Sequence, residues 1–208
     1  MSEFNRNRLR EGVVALGLTA TDHQLDQWLE LLGLIRTANE RVNLTSIIDH
    51  DAMIDKHLLD SLTVAPWLSG QQIIDLGTGG GFPGLPLAIL FPEKSFLLID
   101  SIAKKIKVVQ VTAAALQLTN VQTNVVRGEL YVGQKVDTVV ARAVASLADL
   151  GKYTRRLVKS GGQLLAMKGR LSDEEMNDVP EGFKLVAIKK VTVPGLTDER
   201  HVVRLIRL

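Results

Sequence analysis

The chain has 208 residues, 46% of them hydrophobic, which is enough for one domain with a small appendage and a full core. It has no cysteine, which excludes disulfides, zinc–thiolate sites and a cysteine nucleophile. No apolar run approaches the ~20 residues of a membrane span, the polar N-terminus lacks a signal-peptide centre, and the net charge of +2 divides into −4 over residues 1–70 and +6 over residues 71–208. A basic second part suits a polyanion such as RNA, although an excess of that size is also common in soluble enzymes.

Residues 5–17 and 22–38 have helical spacing. In the second segment Leu25, Trp28, Leu29, Leu32 and Ile35 form an apolar stripe, and Thr21 with Gln24 makes a capping box. Residues 39–46 break the periodicity and read as a loop. A third helix is expected from about Asp51 to Trp67, with Met53, Ile54, Leu58, Leu62 and Ala65 on its apolar face. Asn43-Leu-Thr-Ser46 and His57-Leu-Leu-Asp60-Ser61 gather hydrogen-bonding side chains around apolar anchors. His57 and Asp60 lie three apart on one helix face. They read either as a general base with its orienter or as a helix cap beside a satisfied histidine. The four histidines are scattered, so no metal site is expected.

From residue 71 strands and helices alternate. Strands are expected near 71–76, 95–100, 121–126, 136–142, 162–168, 183–193 and 200–207, and helices near 83–91, 103–117, 147–158 and 173–178. Alternation of this kind implies a parallel sheet with helices on both faces. The last two strands are joined by the loop at 194–199 alone, so they should pair antiparallel.

Between the first strand and its helix lies Asp75-Leu-Gly-Thr-Gly-Gly-Gly-Phe-Pro-Gly84. Glycines allow a tight turn and close approach of a ligand to the backbone, and the helix start adds free N–H groups. A carboxylate at Asp75 would repel a pyrophosphate but suit an ammonium group. S-adenosylmethionine carries an α-amino group and a sulfonium, and no phosphate. The second strand ends at Asp100, where a carboxylate can accept hydrogen bonds from the hydroxyls of an adenosine ribose. Together these features predict an α/β chain with the Rossmann-like fold of class I S-adenosylmethionine-dependent methyltransferases. Its seven-stranded, mostly parallel sheet would end in an antiparallel hairpin. Residues 1–70 would be a helical extension packed on the core, and residues 71–208 the methyltransferase domain.

In such a sheet the ligand lies at the carboxyl ends of the strands. The candidates there are Gly77, Gly79, Gly81 and Phe82 after strand one, Asp100 after strand two, Gly128 and Glu129 after strand three, Arg142 after strand four and Lys168 after strand five. Gly128 and Glu129 stand where backbone groups could read an adenine edge, or form an ordinary turn. Arg142 either ties down a carboxylate or faces the pocket. Lys168 suits a phosphate or carboxylate, or is a solvated strand end. Phe82 shapes the pocket or fills core.

These segments, with Pro194-Gly-Leu-Thr-Asp-Glu-Arg-His201, Leu98-Ile-Asp-Ser101 and Lys104-Lys105, make the chain resemble over nearly its whole length one bacterial family. That family is the 16S ribosomal RNA guanine-N7 methyltransferases, also called RsmG or glucose-inhibited division protein B. The resemblance implies S-adenosylmethionine as methyl donor and a guanine near the decoding region as acceptor. It implies cofactor contacts at Gly77, Phe82, Gly128, Glu129 and Arg142. It also implies 16S ribosomal RNA or the small ribosomal subunit as partner, with neither DNA nor membrane, a cytoplasmic location and a monomeric chain. One departure lies in residues 128–135, a segment shorter than the family's, with Gly128 where a larger residue is usual. Guanine N7 has a lone pair and no proton, so its methylation needs no general base. The chain also lacks the cysteine common in cytosine-C5 methylation and the Asn/Asp-Pro-Pro-aromatic tetrad common in adenine amino methylation. The residues alone leave open another methyl acceptor, or a nucleotide-binding module without enzymatic activity.

Overall fold

The computed structural model describes residues 3–208, apart from the side chains of Asp173 and Asn177. Seven strands, β1 (Gln72–Leu76), β2 (Ser95–Asp100), β3 (Val121–Val125), β4 (Val136–Arg142), β5 (Val158–Lys168), β6 (Phe183–Val191) and β7 (Arg200–Arg207), form one sheet in the order β3-β2-β1-β4-β5-β7-β6. The pairs within β1 to β5 are parallel, and β7 runs antiparallel to both of its neighbours. This is the mostly parallel sheet with an antiparallel terminal hairpin that the alternation predicts.

The side-chain period of two sorts the strands into two cores. Ile73, Phe96, Leu98, Val140, Leu165 and Val202 face one side. Ile74, Ile99, Val139, Leu164, Val203 and Leu205 face the other. The second side is closed by α7 (Leu147–Thr154), which supplies Leu147 and Leu150. The first side carries α5 (Gly84–Leu90) and α6 (Ala103–Ala115), and beyond them α1 (Glu3–Ala15) and α2 (Asp22–Asn39).

The capping box of α2 is present: the Gln24 N–H donates to Thr21 Oγ1 at 3.2 Å, and the Thr21 N–H donates to Gln24 Oε1 at 2.9 Å. The same Gln24 amide donates to the Ile89 and Leu90 carbonyls, which α5 leaves without partners at its end. Trp28, fully buried, donates from its indole to the Pro86 carbonyl at 3.1 Å. One polar face of α2 therefore seals the C-terminus of α5, and the apolar stripe seals its flank.

Several boundaries differ from the sequence reading. The first helix covers Glu3–Ala15 rather than 5–17, because Gly17 takes φ +71° and the Leu18 N–H turns back to the Val13 carbonyl. The sixth ends at Ala115, with Gln117 at φ +56°. The seventh ends at Thr154, because Leu157 and Val158 are wholly buried against the second core and start β5 early. The sheet absorbs the extra residues where its register jumps between Val136 and Thr138. The third helix stops at residue 62, and Ala65–Trp67 is a separate 3-10 turn containing Pro66. It also changes type along its length, from α3 (His50–Met53) through a π-helical turn (Ile54–Leu59) to α4 (Asp60–Leu62). Among the described residues no helix is long and apolar enough to cross a membrane.

Candidate active site

The strand order reverses between β1 and β4, so their carboxyl ends diverge and leave a crevice. The glycine turn after β1 is fixed to β2 by the Gly77 and Thr78 N–H groups, which donate to the Ile99 carbonyl at 2.8 and 3.0 Å. Gly77 has φ +70°, and a Cβ there would stand 2.7 Å from Val144 Cγ2. Gly79 has φ +57°, and a Cβ there would meet only the Gly77 carbonyl, at 4.0 Å. The first glycine is therefore required by packing and conformation, and the second by conformation over open space.

Two carboxylates brace this turn. Asp75 is completely buried, and its Oδ2 accepts the Thr78 hydroxyl at 2.6 Å and the Gly84 N–H at 2.8 Å. Its Oδ1 is buried without a partner. Burial pushes its carboxyl up to about 6, against the opposing pull of those two hydrogen bonds. Asp100 Oδ2 accepts the Gly79 N–H at 3.0 Å, and its Oδ1 accepts the Ile102 N–H at 2.9 Å. Each oxygen of Asp100 keeps a lone pair free for a further donor.

Over the turn lies a cavity of about 250 Å³, lined by Gly77, Gly79, Phe82 and Arg142, and by His57 and Thr45 from the N-terminal helices and their loop. Asn39 holds that loop: its Oδ1 accepts the Leu44 and Thr45 N–H groups at 2.8 and 3.0 Å. The His57 ring stacks on Phe82 with centroids 4.8 Å apart, and the Arg142 guanidinium carbon lies 5.6 Å from the same ring. His57 Nε2 and Thr45 Oγ1 are 2.9 Å apart. Burial, with Arg142 adding to it, pushes His57 down to about 4, so its ring is neutral near pH 7.

Arg142 satisfies both alternatives that its sequence position left open. It binds Asp60 Oδ2 at 2.9 Å and donates to the Lys56 carbonyl at 3.0 Å, and it also lines the cavity. The next residue, Ala143, has φ +53°, a conformation disfavoured for any residue with a Cβ and concentrated at functional sites. Asp60 does not bond His57. Its other oxygen takes Arg200 Nε at 3.0 Å, so one carboxylate joins β4 and β7.

Of the residues expected at the site, Gly77, Gly79, Phe82 and Arg142 line this cavity. Asp100 and Asp75 are not on its lining but brace the turn by hydrogen bonds. Asp75 is completely buried, so it supports the turn rather than presenting a carboxylate to an ammonium group as its sequence position suggested. Gly81, at φ +95°, lies within the turn and packs against Leu85. Gly128 and Glu129 form a 3-10 turn outside the cavity lining. Gly128 is buried, with Leu76 Cδ1 2.8 Å from where a Cβ would be, and Glu129 is exposed. Lys168 lines a second cavity, of about 430 Å³, and pairs with Glu175 at 2.6 Å and with the Ala145 carbonyl. The two cavities share His57, Arg142 and Ala143. Sequence reasoning missed Lys56 and Arg200. Arg200 is 140 residues from Asp60, and nothing local to either marks the pair.

The sheet order, the braced glycine turn and the carboxylate at the end of β2 define a Rossmann-like methyltransferase. Solved structures agree at the level of fold. TrmN from Thermus thermophilus superposes with a TM-score of 0.57 at 20% identity, over 84% of this chain and 52% of that longer one. The ribosomal protein L11 methylase from Lactobacillus delbrueckii subsp. bulgaricus gives 0.55 at 17% identity, over 76% and 79%. The family model described as rRNA small subunit methyltransferase G (GidB) matches residues 23–203, and the chain belongs to that family. It is 40% identical over 201 residues to the ribosomal RNA small subunit methyltransferase G of Shewanella amazonensis, covering 96% of this chain and 98% of that protein. Against the same protein of Shewanella piezotolerans it is 38% identical, over 96% and 97%.

Proposed function

We propose that this chain transfers the methyl group of S-adenosylmethionine to N7 of a guanine in 16S ribosomal RNA near the decoding region. It would act as a cytoplasmic monomer on the RNA or on the small subunit. One observation carries this reading: the glycine-turn cavity and a larger, cation-lined cavity share His57, Arg142 and Ala143 as a common wall. A donor in one and an acceptor in the other would meet directly where the two cavities adjoin, at the edge that these residues form.

The turn fits an amino-acid nucleoside better than a pyrophosphate. Two carboxylates, Asp75 and Asp100, bond its N–H groups, and Arg142 is the single permanent cation on its cavity lining. Arg142 offers guanidinium donors to an α-carboxylate, and Asp100 offers lone pairs to the two ribose hydroxyls. The donor's sulfonium supplies an electrophilic methyl. Ile35, Leu44 and Phe82 give the cavity apolar walls that exclude water from that carbon.

Because guanine N7 carries no proton, no side chain has to remove one. A neutral His57 matches this requirement: it adds no positive charge to the wall, and its stacking on Phe82 keeps the wall flat. Catalysis then rests on alignment and desolvation, and orientation alone can supply roughly 7–11 kcal/mol. N7 lies on an edge that a paired A-form helix hides in its narrow groove, so the target guanine is unpaired or presented by folded RNA.

The test is transfer of labelled methyl to small-subunit ribosomal RNA from cells lacking the protein, followed by mapping of the modified atom. Label on guanine N7 near the decoding region is expected. Label on another atom, or none on RNA, overturns the reading.

A further inference from the structure

The larger cavity opens between the π-helical turn, the ends of β4 and β5 and the start of β7. Four permanent cations line it, Lys56, Arg142, Lys168 and Arg200, against one carboxylate, Asp60. Lys168 is neutralised by Glu175, and Asp60 is shared between both arginines. Arg200 has only a distant further acid, Asp198 at 3.8 Å. Lys56 makes no salt bridge among the described residues and acts on the neighbouring Asp55 only through its field. The lining therefore keeps a surplus of positive charge in a half-enclosed space, where an anion is attracted more strongly than at an open surface. Ile47, Met167 and Val191 give it an apolar part suited to a flat ring. The π-helical turn and the residue after it form part of this wall: the Lys56 carbonyl accepts from Arg142, and His57 and Asp60 line the cavity. Turns of this type recur at functional sites.

We propose that this cavity seats the acceptor nucleotide, that Lys56 binds a phosphodiester of the RNA strand beside the acceptor base, and that Asp60 is the positioning residue that fixes Arg142 and Arg200 on its wall. The inference rests on the methyl-transfer reading and adds the route by which the strand enters.

Lys56→Ala raises the KM for RNA about tenfold, the loss of one charged hydrogen bond. It leaves kcat and cofactor affinity within about twofold, and it makes the logarithmic salt dependence of RNA binding shallower by about 0.7, one single-strand phosphate contact. Lys107→Ala removes an exposed cation between α2 and α6 and leaves that slope unchanged. Asp60→Asn lowers kcat about tenfold or more per cofactor-competent molecule, and Asp60→Glu restores part of it. A purely structural role would instead reduce the fraction of molecules that bind cofactor and spare kcat. An active enzyme whose Lys56→Ala variant keeps the parental KM and salt slope overturns the proposal. An inactive parent chain would instead overturn the methyl-transfer reading on which it rests.

Discussion

Asp100 gives the clearest case of one residue with two duties. It braces the glycine turn through Gly79 and Ile102, and under the proposed function its remaining lone pairs serve a ribose. Asp100→Ala removes both, so cofactor affinity measured by calorimetry should fall about 10- to 100-fold, the scale of one or two charge-assisted hydrogen bonds. Arg142→Ala should lower kcat/KM about 100-fold, a loss of about 3 kcal/mol of transition-state stabilisation. Its thermal unfolding should remain cooperative, because Asp60 keeps Arg200 as a partner. His57 carries a pH signature. Its folded pKa of about 4 lies below the unfolded value of 6.5, so its contribution is complete above pH 6.5 and is lost as pH falls towards 4. The ceiling on that contribution is on the order of 3 kcal/mol. In His57→Phe the drop in melting temperature between pH 7 and 4.5 should be smaller than in the parent chain. Asp75, pushed up to about 6, acts in the opposite sense and is common to both chains, so the comparison isolates His57.

At the scale of elements, legibility followed the range of the signal. The capping box at Thr21 and Gln24 is a local rule, and it appears as expected. Thr21→Ala should cost about 1 kcal/mol, read from the urea midpoint, with the denaturation slope unchanged. The glycine turn was also legible, because its residues must adopt left-handed backbone and few residue types can. The π-helical turn was not: its apolar spacing matches an ordinary helix, and no local pattern marks the change of helix type. The early start of β5 was hidden too. Leu157 and Val158 continue the helical pattern of α7, and their burial beside β4 decides the matter. Arg142 was legible as a candidate but not as a partner of Asp60, because Asp60 comes from an element far away in sequence and itself bridges Arg142 to Arg200.

For the molecule as a whole, the first core runs without a break from Leu9, Leu25 and Trp28 through Leu85 and Phe96 to Val202. A chain cut to residues 71–208 would expose α5 and α6 and lose the Trp28 and Gln24 bonds to α5. It should elute as aggregates and bind a hydrophobic dye, whereas the full chain should elute as a single species. The sequence by itself determined the strand–helix alternation, the glycine turn with its acids and the family, because each is written in short-range spacing or residue chemistry. Only the tertiary structure decided that one buried carboxylate from the N-terminal helices holds two arginines of the sheet, and that two cavities share one wall. Those facts depend on which distant segments meet when both faces of the sheet are buried, and no local pattern encodes that meeting.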